Sequence, residues 1–216
     1  MTKIIGIAQL KGGSGKTTVA TSLAAQCAFI APTVLIDCDP PQYSSDSWMA
    51  LRNDSETNEL MTPNLSCVTS ESEEELASLI DANSQAKYIV LDAPPRGEVT
   101  TKLIVAMSNL VIIPVNASKM DVWATYDTET LVKELKAVKK SRLLLNRYRD
   151  FTNSSREVKK GLKKEINIEL LKTTLGFRTA YMDSLGEGYS PDEWHDPKST
   201  DEIERLFFEI RKIIGE

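Results

Sequence analysis

Lys11-Gly12-Gly13-Ser14-Gly15-Lys16-Thr17-Thr18 puts two lysines, three glycines and three hydroxyls into eight residues. That mixture can hold phosphate. Glycines let a backbone curl until successive N–H groups point at one anion. A helix opening directly after the loop adds the positive end of its dipole. In such a loop Lys16 would reach the β- and γ-phosphates and the Thr17 hydroxyl would ligate Mg²⁺. The usual spacing asks for a glycine five residues before Gly15, where this chain has Leu10. It carries an extra lysine instead, Lys11.

Acids stand at two other places of the same kind. Leu35-Ile36-Asp37-Cys38-Asp39-Pro40 and Ile89-Val90-Leu91-Asp92-Ala93-Pro94 each end an apolar run in a carboxylate. A carboxylate at the end of a buried run is costly unless it is paired, hydrogen-bonded or facing a cation. Magnesium keeps much of its water, so nearby carboxylates often act through those waters. Asp92 suits that role, and Asp39 suits orienting an attacking water. Asp37 can do either, or cap a helix.

These groups need elements that hold them. Lys3–Ala8, 33–37, 88–92, 110–115, 142–146 and 170–175 are short apolar runs that read as strands. Helical patterns cover Thr17–Ala31, Glu73–Asp81, Thr100–Ser108, Trp123–Lys139 and Thr200–Ile214. Continuous apolar strands alternating with helices imply a mostly parallel, twisted sheet with helices on both faces. The expected architecture is one α/β P-loop domain over residues 1–216, with 41–66 polar and irregular. Ligands of such folds sit at the carboxyl ends of the strands, where all the residues above fall.

Composition narrows the classes. The chain has 216 residues, 41% hydrophobic and 26% charged, enough to bury a core without staples. Three cysteines, Cys27, Cys38 and Cys67, follow no metal or redox spacing and read as reduced thiols. No run approaches the ~20 apolar residues of a membrane span. The first strand runs straight into the Gly-rich motif, so export is not expected and the location is cytoplasmic. His195 has no second histidine to share a metal, and Trp48, Trp123 and Trp194 form no stacking pattern.

Net charge is −5, yet residues 133–164 hold twelve Lys or Arg against three acids. Lys133, Lys136, Lys139 and Lys140 recur at helical spacing, as do Arg156, Lys159, Lys160, Lys163 and Lys164. Each set can form a stripe that binds phosphate backbones without reading bases. The last helical pattern, with Ile203, Leu206, Phe207 and Ile210, has a mixed polar face and is expected to pack on the sheet.

Taken together, the Lys-Gly-Gly-Ser-Gly-Lys-Thr-Thr motif and Leu-Ile-Asp-Cys-Asp-Pro-Pro-Gln resemble the ParA/MinD family of deviant Walker ATPases. Met120-Asp121-Val122-Trp123-Ala124 and the stretches around Arg178–Tyr181 and Gly186–Tyr189 resemble its ParA branch, in the short form without an added N-terminal DNA-binding domain. Ser14 departs from the aliphatic residue common in relatives. The resemblance implies an ATP- and Mg²⁺-dependent homodimer in which Lys11 reaches across to the partner's phosphates. It implies that Asp39 serves hydrolysis, that Asn146 contacts adenine, and that the ATP dimer binds nonspecific DNA and so associates with the nucleoid. A ParB-like adaptor encoded nearby would stimulate an otherwise slow ATPase. Plasmid DNA is the first expected cargo, and an organelle-like protein assembly the next. Two other classes compete: a small-molecule phosphotransferase or ligase, and a MinD-like membrane ATPase.

Overall fold

The computed structural model describes residues 1–54 and 63–216. Its centre is a seven-stranded sheet, every pairing parallel, in the order β3-β2-β4-β1-β5-β6-β7. The strands are β1 (Lys3–Ile7), β2 (Thr33–Asp37), β3 (Leu65–Thr69), β4 (Tyr88–Asp92), β5 (Leu110–Asn116), β6 (Ser141–Tyr148) and β7 (Glu169–Gly176). The helices are α1 (Lys16–Ala28), α2 (Ser44–Arg52), α3 (Glu73–Ala82), α4 (Glu98–Met107), α5 (Lys119–Glu134), α6 (Asn153–Glu165), α7 (Ala180–Gly186) and α8 (Pro197–Ile213).

Strand side chains alternate between faces, so each strand feeds two cores. Ile5, Ile7, Leu35 and Val90 pack with α1 and α8 on one side. Ile36, Leu91, Ile113 and Leu145 pack with α3, α4, α5 and α6 on the other. With a core on each face, β2 and β4 are buried at all five positions. At Gly6 the cover comes close: a Cβ there would lie 2.8 Å from Ile104 Cγ2 at the end of α4.

The expected strands are all present, and so is the packing of α8, whose Ile203, Leu206, Phe207 and Ile210 are buried against the sheet. Two elements correct the reading of 41–66 as irregular. α2 and β3 occupy parts of it, and residues 55–62 lie outside the described residues. α2 was illegible locally because its start is stabilised from a distance, by Asp37. β3 is an edge strand with only Leu65 fully buried, so it lacks a continuous apolar run.

The helix expected over Trp123–Lys139 starts earlier and stops at Glu134. Lys136 takes a left-handed φ of 54°. Its N–H bonds to Lys133 O while Ala137 N–H bonds to Val132 O, the paired closure that ends many helices. Lys136 and Lys140 therefore do not continue a stripe from Lys133. Lys139 and Lys140 belong to a separate 3₁₀ turn, Val138–Lys140.

β1 lies between β4 and β5, and its ladder with β5 ends at Ile112, Ala8 N–H giving the last bond. Pro114, which has no N–H to give, follows two residues later. Its carbonyl accepts the side-chain amide of Gln9 at 3.4 Å. The chain after β1 is thus released from the sheet at its carboxyl edge, where the Gly-rich loop begins.

Candidate phosphate site

The loop is built by backbone geometry. Gly13 and Gly15 have φ of 72° and 93°, a region that glycine enters without Cβ cost. Gly15 is also the N-cap of α1, and it supplies no side-chain bond to the first turn. No acidic residue stands in that turn. The first N–H groups and the positive dipole end of a 13-residue helix are left for an anion. Gln9, 1% exposed, fixes the loop's entry. Its Oε1 accepts from Thr128 Oγ1 at 2.5 Å and from Lys11 N at 3.3 Å.

Lys16 is 7% exposed. Burial lowers its pKa, and the nearby Asp92 and Asp39 carboxylates work against that shift. Asp37 and Asp92 are register partners at the ends of β2 and β4, but they are solvated by the protein in different ways. Asp37 Oδ1 accepts from Asp39 N at 3.0 Å. Its Oδ2 accepts from Ser45 N at 2.7 Å and Asp46 N at 3.2 Å, capping α2. Burial still raises its pKa. Asp92 Oδ2 takes the Ser45 hydroxyl at 2.9 Å, and its Oδ1 is buried without a hydrogen bond among the described residues. Burial and the neighbouring Asp37 push Asp92 up to about 7, with the Thr17 and Ser45 hydroxyls pulling the other way. Asp39 is half-buried and raised, by desolvation first and by Asp37 second, with Lys16 opposing.

These observations fit a Mg²⁺–phosphate group. An orphaned carboxylate oxygen, the Thr17 hydroxyl, a buried lysine and an uncapped helix start converge on one cradle. Among the metal residues read from the sequence, Thr17 and Asp92 adjoin each other, while Asp37 has both oxygens engaged by backbone amides.

Lys11 stands apart from this cradle. Its Nζ lies 2.8 Å from Asp121 Oδ1, in the first turn of α5, and its side chain is 35% exposed. Asp121 also takes the Ser118 hydroxyl and the Asn116 amide, the latter at 3.3 Å. Asn146 is 6% exposed. Its Nδ2 donates to Ser14 O at 2.9 Å and its Oδ1 accepts from Arg147 N at 2.8 Å. Beside it a cavity of about 200 Å³ is lined by Gly15, Thr18, Asn146, Phe177, Arg178 and Tyr181. Glu202 holds its outer wall, accepting from Gly176 N, Arg178 and the Tyr181 hydroxyl at 2.8, 2.6 and 2.7 Å. Asn116 and Glu202 escaped the sequence reading. A polar residue closing an apolar strand run was the one available signal for Asn116.

The basic residues divide by environment. Lys133 pairs with Glu129 at 2.8 Å. Lys140 Nζ donates to Ala106 O and Ser108 O, both at 2.8 Å, closing the end of α4. The second basic set, Arg156, Lys159, Lys160, Lys163 and Lys164, lies wholly on α6. Arg156 donates to Asp150 O at 2.8 Å and Lys159 lies over the Tyr148 ring. Lys160, Lys163 and Lys164 are exposed. Among the described residues no helix is long and apolar enough to cross a membrane.

The chain is similar to known proteins over nearly its whole length. It is 25% identical over 213 residues to the maintenance of carboxysome distribution protein A of Halothiobacillus neapolitanus, covering 95% of each. An ATP complex of a Cyanothece McdA variant superposes with a TM-score of 0.76 at 20% identity, over 99% of this chain and 96% of that one. A plasmid partition protein of Borrelia burgdorferi B31 bound to AMPPNP gives 0.71 at 22% identity, over 99% and 98%. Residues 5–191, the phosphate loop and both acidic strand ends among them, match the model of one family, and the chain belongs to it: the CobQ/CobB/MinD/ParA nucleotide binding domain.

Proposed function

We propose that the chain is an ATP-hydrolysing switch of ParA type that dimerises around nucleotide and positions a cargo along nonspecific DNA. The observation that carries this is Lys11. A second loop lysine that turns away from its own cradle and rests half-exposed on Asp121 is a cation available to a neighbour. Supplied across a dimer, it stabilises phosphate charge only when two subunits meet. Nucleotide state and oligomer state are then linked, each favouring the other.

Within one subunit Lys16, Thr17 and the first N–H groups of α1 hold the phosphates. Asp39, with Lys16 nearby, orients the attacking water. Thr17 with Asp92 would hold Mg²⁺, which would supply positive charge against the phosphates. Hydrolysis is slow until an adaptor protein completes the site, and loss of the γ-phosphate releases the dimer.

The carboxysome-distribution relative supports a protein assembly as cargo. A second reading, plasmid DNA, is favoured by the Borrelia partition protein. The deciding experiment is sedimentation with a random-sequence duplex under ADP, ATP or no nucleotide at two salt concentrations. ATP-specific, salt-sensitive binding by a dimer is expected. A dimer that ignores DNA would move the tether to a membrane or protein scaffold. An ATP-bound monomer would revive the small-molecule phosphotransferase.

A further inference from the structure

Asn116 and Asn146 are register partners on adjacent strands, β5 and β6. Their backbones are joined by Ala117 N–H to Asn146 O at 3.1 Å. Their side chains reach two consecutive carbonyls of the phosphate loop. Asn116 Nδ2 donates to Gly13 O at 3.1 Å, and Asn146 Nδ2 donates to Ser14 O at 2.9 Å. The amide orientations follow from the partners. Asn116 nitrogen faces two acceptors, Gly13 O and Asp121 Oδ1, and Asn146 oxygen faces the Arg147 N–H.

We propose that Asn116 and Asn146 form a clamp that positions the phosphate loop, so that Asn146 acts on the phosphates through the loop. In a trans peptide the carbonyl and the following N–H point in opposite directions. Holding the Gly13 and Ser14 carbonyls outward therefore aims the N–H groups of Ser14 and Gly15 inward, at the anion. Asn146 gives one of its two N–H groups to the Ser14 carbonyl and one lone pair of its oxygen to the Arg147 N–H, so the side chain is fixed in orientation by the loop and by its own neighbour. Close approach is built in: a Cβ at Gly15 would collide with the Asn146 amide. Asn116 adds a link, since Asp121 Oδ1 meets both its amide and Lys11. The clamp thus joins the loop to the lysine that dimerisation must release.

This inference rests on the nucleotide-binding reading, and the test separates the two. Binding of MgATP, MgGTP and magnesium tripolyphosphate is measured by competition against a fluorescent ATP analogue, for wild type, Asn116→Ala, Asn146→Ala and Asn146→Asp. A clamp predicts a loss of about tenfold for all three ligands alike, with their affinity ratios unchanged. Asn146→Asp, which sets an acceptor against Ser14 O, loses at least as much as Asn146→Ala. Melting of the protein without ligand should change less than the ligand-induced shift does. Wild-type affinities in the variants would overturn the clamp. A loss confined to ATP, with tripolyphosphate unaffected, would return Asn146 to the base. If the buried Asn146→Ala chain does not fold, Asn116→Ala at the half-buried rim carries the same comparison. Failure of the wild-type chain to bind any of the three would overturn the nucleotide reading itself.

Discussion

Lys16 and Lys163 are both cations suited to phosphate, but the protein treats them oppositely. Lys16 is 7% exposed, set among two strand-end carboxylates and an uncapped helix start. Lys163 stands in solvent on α6, near Lys159, whose pKa burial lowers first and Lys163 lowers further. The first arrangement stores a desolvation cost that a correctly shaped anion relieves, so it discriminates by geometry. The second stays hydrated and acts through its field, so it attracts polyanions with little regard to shape and is screened by salt. Lys11 falls between them, half-exposed yet paired. That intermediate state suits a group that must change partners.

The sharpest break of this contrast is Lys16→Ala. Losing a buried charge-assisted bond should weaken MgATP about 100-fold by equilibrium binding, and DNA binding should fail with it. Replacing Lys160, Lys163 and Lys164 together by Ala should leave MgATP affinity intact. DNA affinity should fall about tenfold, and the log–log salt slope should drop by about one for each lost phosphate contact. Lys133→Ala, which removes a lysine already paired with Glu129, should leave that slope unchanged. Equal slopes for the two variants would dissolve the distinction between held and free lysines.

A smaller effect is expected where the two regimes meet. Lys11→Ala should bind nucleotide and lose ATP-dependent dimerisation. Asp121→Ala frees Lys11 from its partner in the same chain, and the dimer fraction at subsaturating ATP should rise up to about fivefold, the size of a partly exposed pair. A dimer fraction unchanged in both, read by sedimentation, would remove Lys11 from the interface.

Asp92→Asn tests the stored cost directly. Burial raises Asp92 to about 7 from an ordinary 3.8. Between those values the folded chain holds a proton that the unfolded chain has released. Stability therefore falls as pH rises through that window and levels off above about 7. The variant should melt higher than wild type at pH 8, by about 3 °C, and show little gain at pH 4. Asp37, raised by the same burial, keeps part of the slope in the variant. Thermal melts across pH, without nucleotide, would show it. The least effect belongs to Lys136→Gly, which relieves a left-handed residue at the end of α5. It should raise the melting point by about 2 °C without touching either phosphate surface.

Legibility tracked the range of the interactions. The Gly-rich loop could be read because its conformation is a property of Gly13 and Gly15 themselves. The central strands could be read because burial on two faces demands unbroken apolar runs. α2 could not, because its cap comes from Asp37, eight positions before Ser45 in the chain, and its own N-cap, Tyr43, contributes none. The basic stripe over 133–140 was misplaced because helical spacing does not say where a helix stops. The closure at Lys136 is made by backbone bonds to Lys133 and Val132.

Residue types and local spacing alone determined the alternation of strands and helices, the phosphate loop and the acids at the carboxyl ends of β2 and β4. Each depends on neighbours within a few positions, where covalent geometry limits the choices. Only the tertiary structure decided that Asp37 would be spent on α2, that Asp121 would hold Lys11, and that Asn116 and Asn146 would grip the loop. Those contacts span 103 and 132 residues for the two asparagines. Such pairings arise only after the sheet sets β5 and β6 beside the loop, because hydrogen bonds reach about 3 Å and cannot be inferred from distance along the chain.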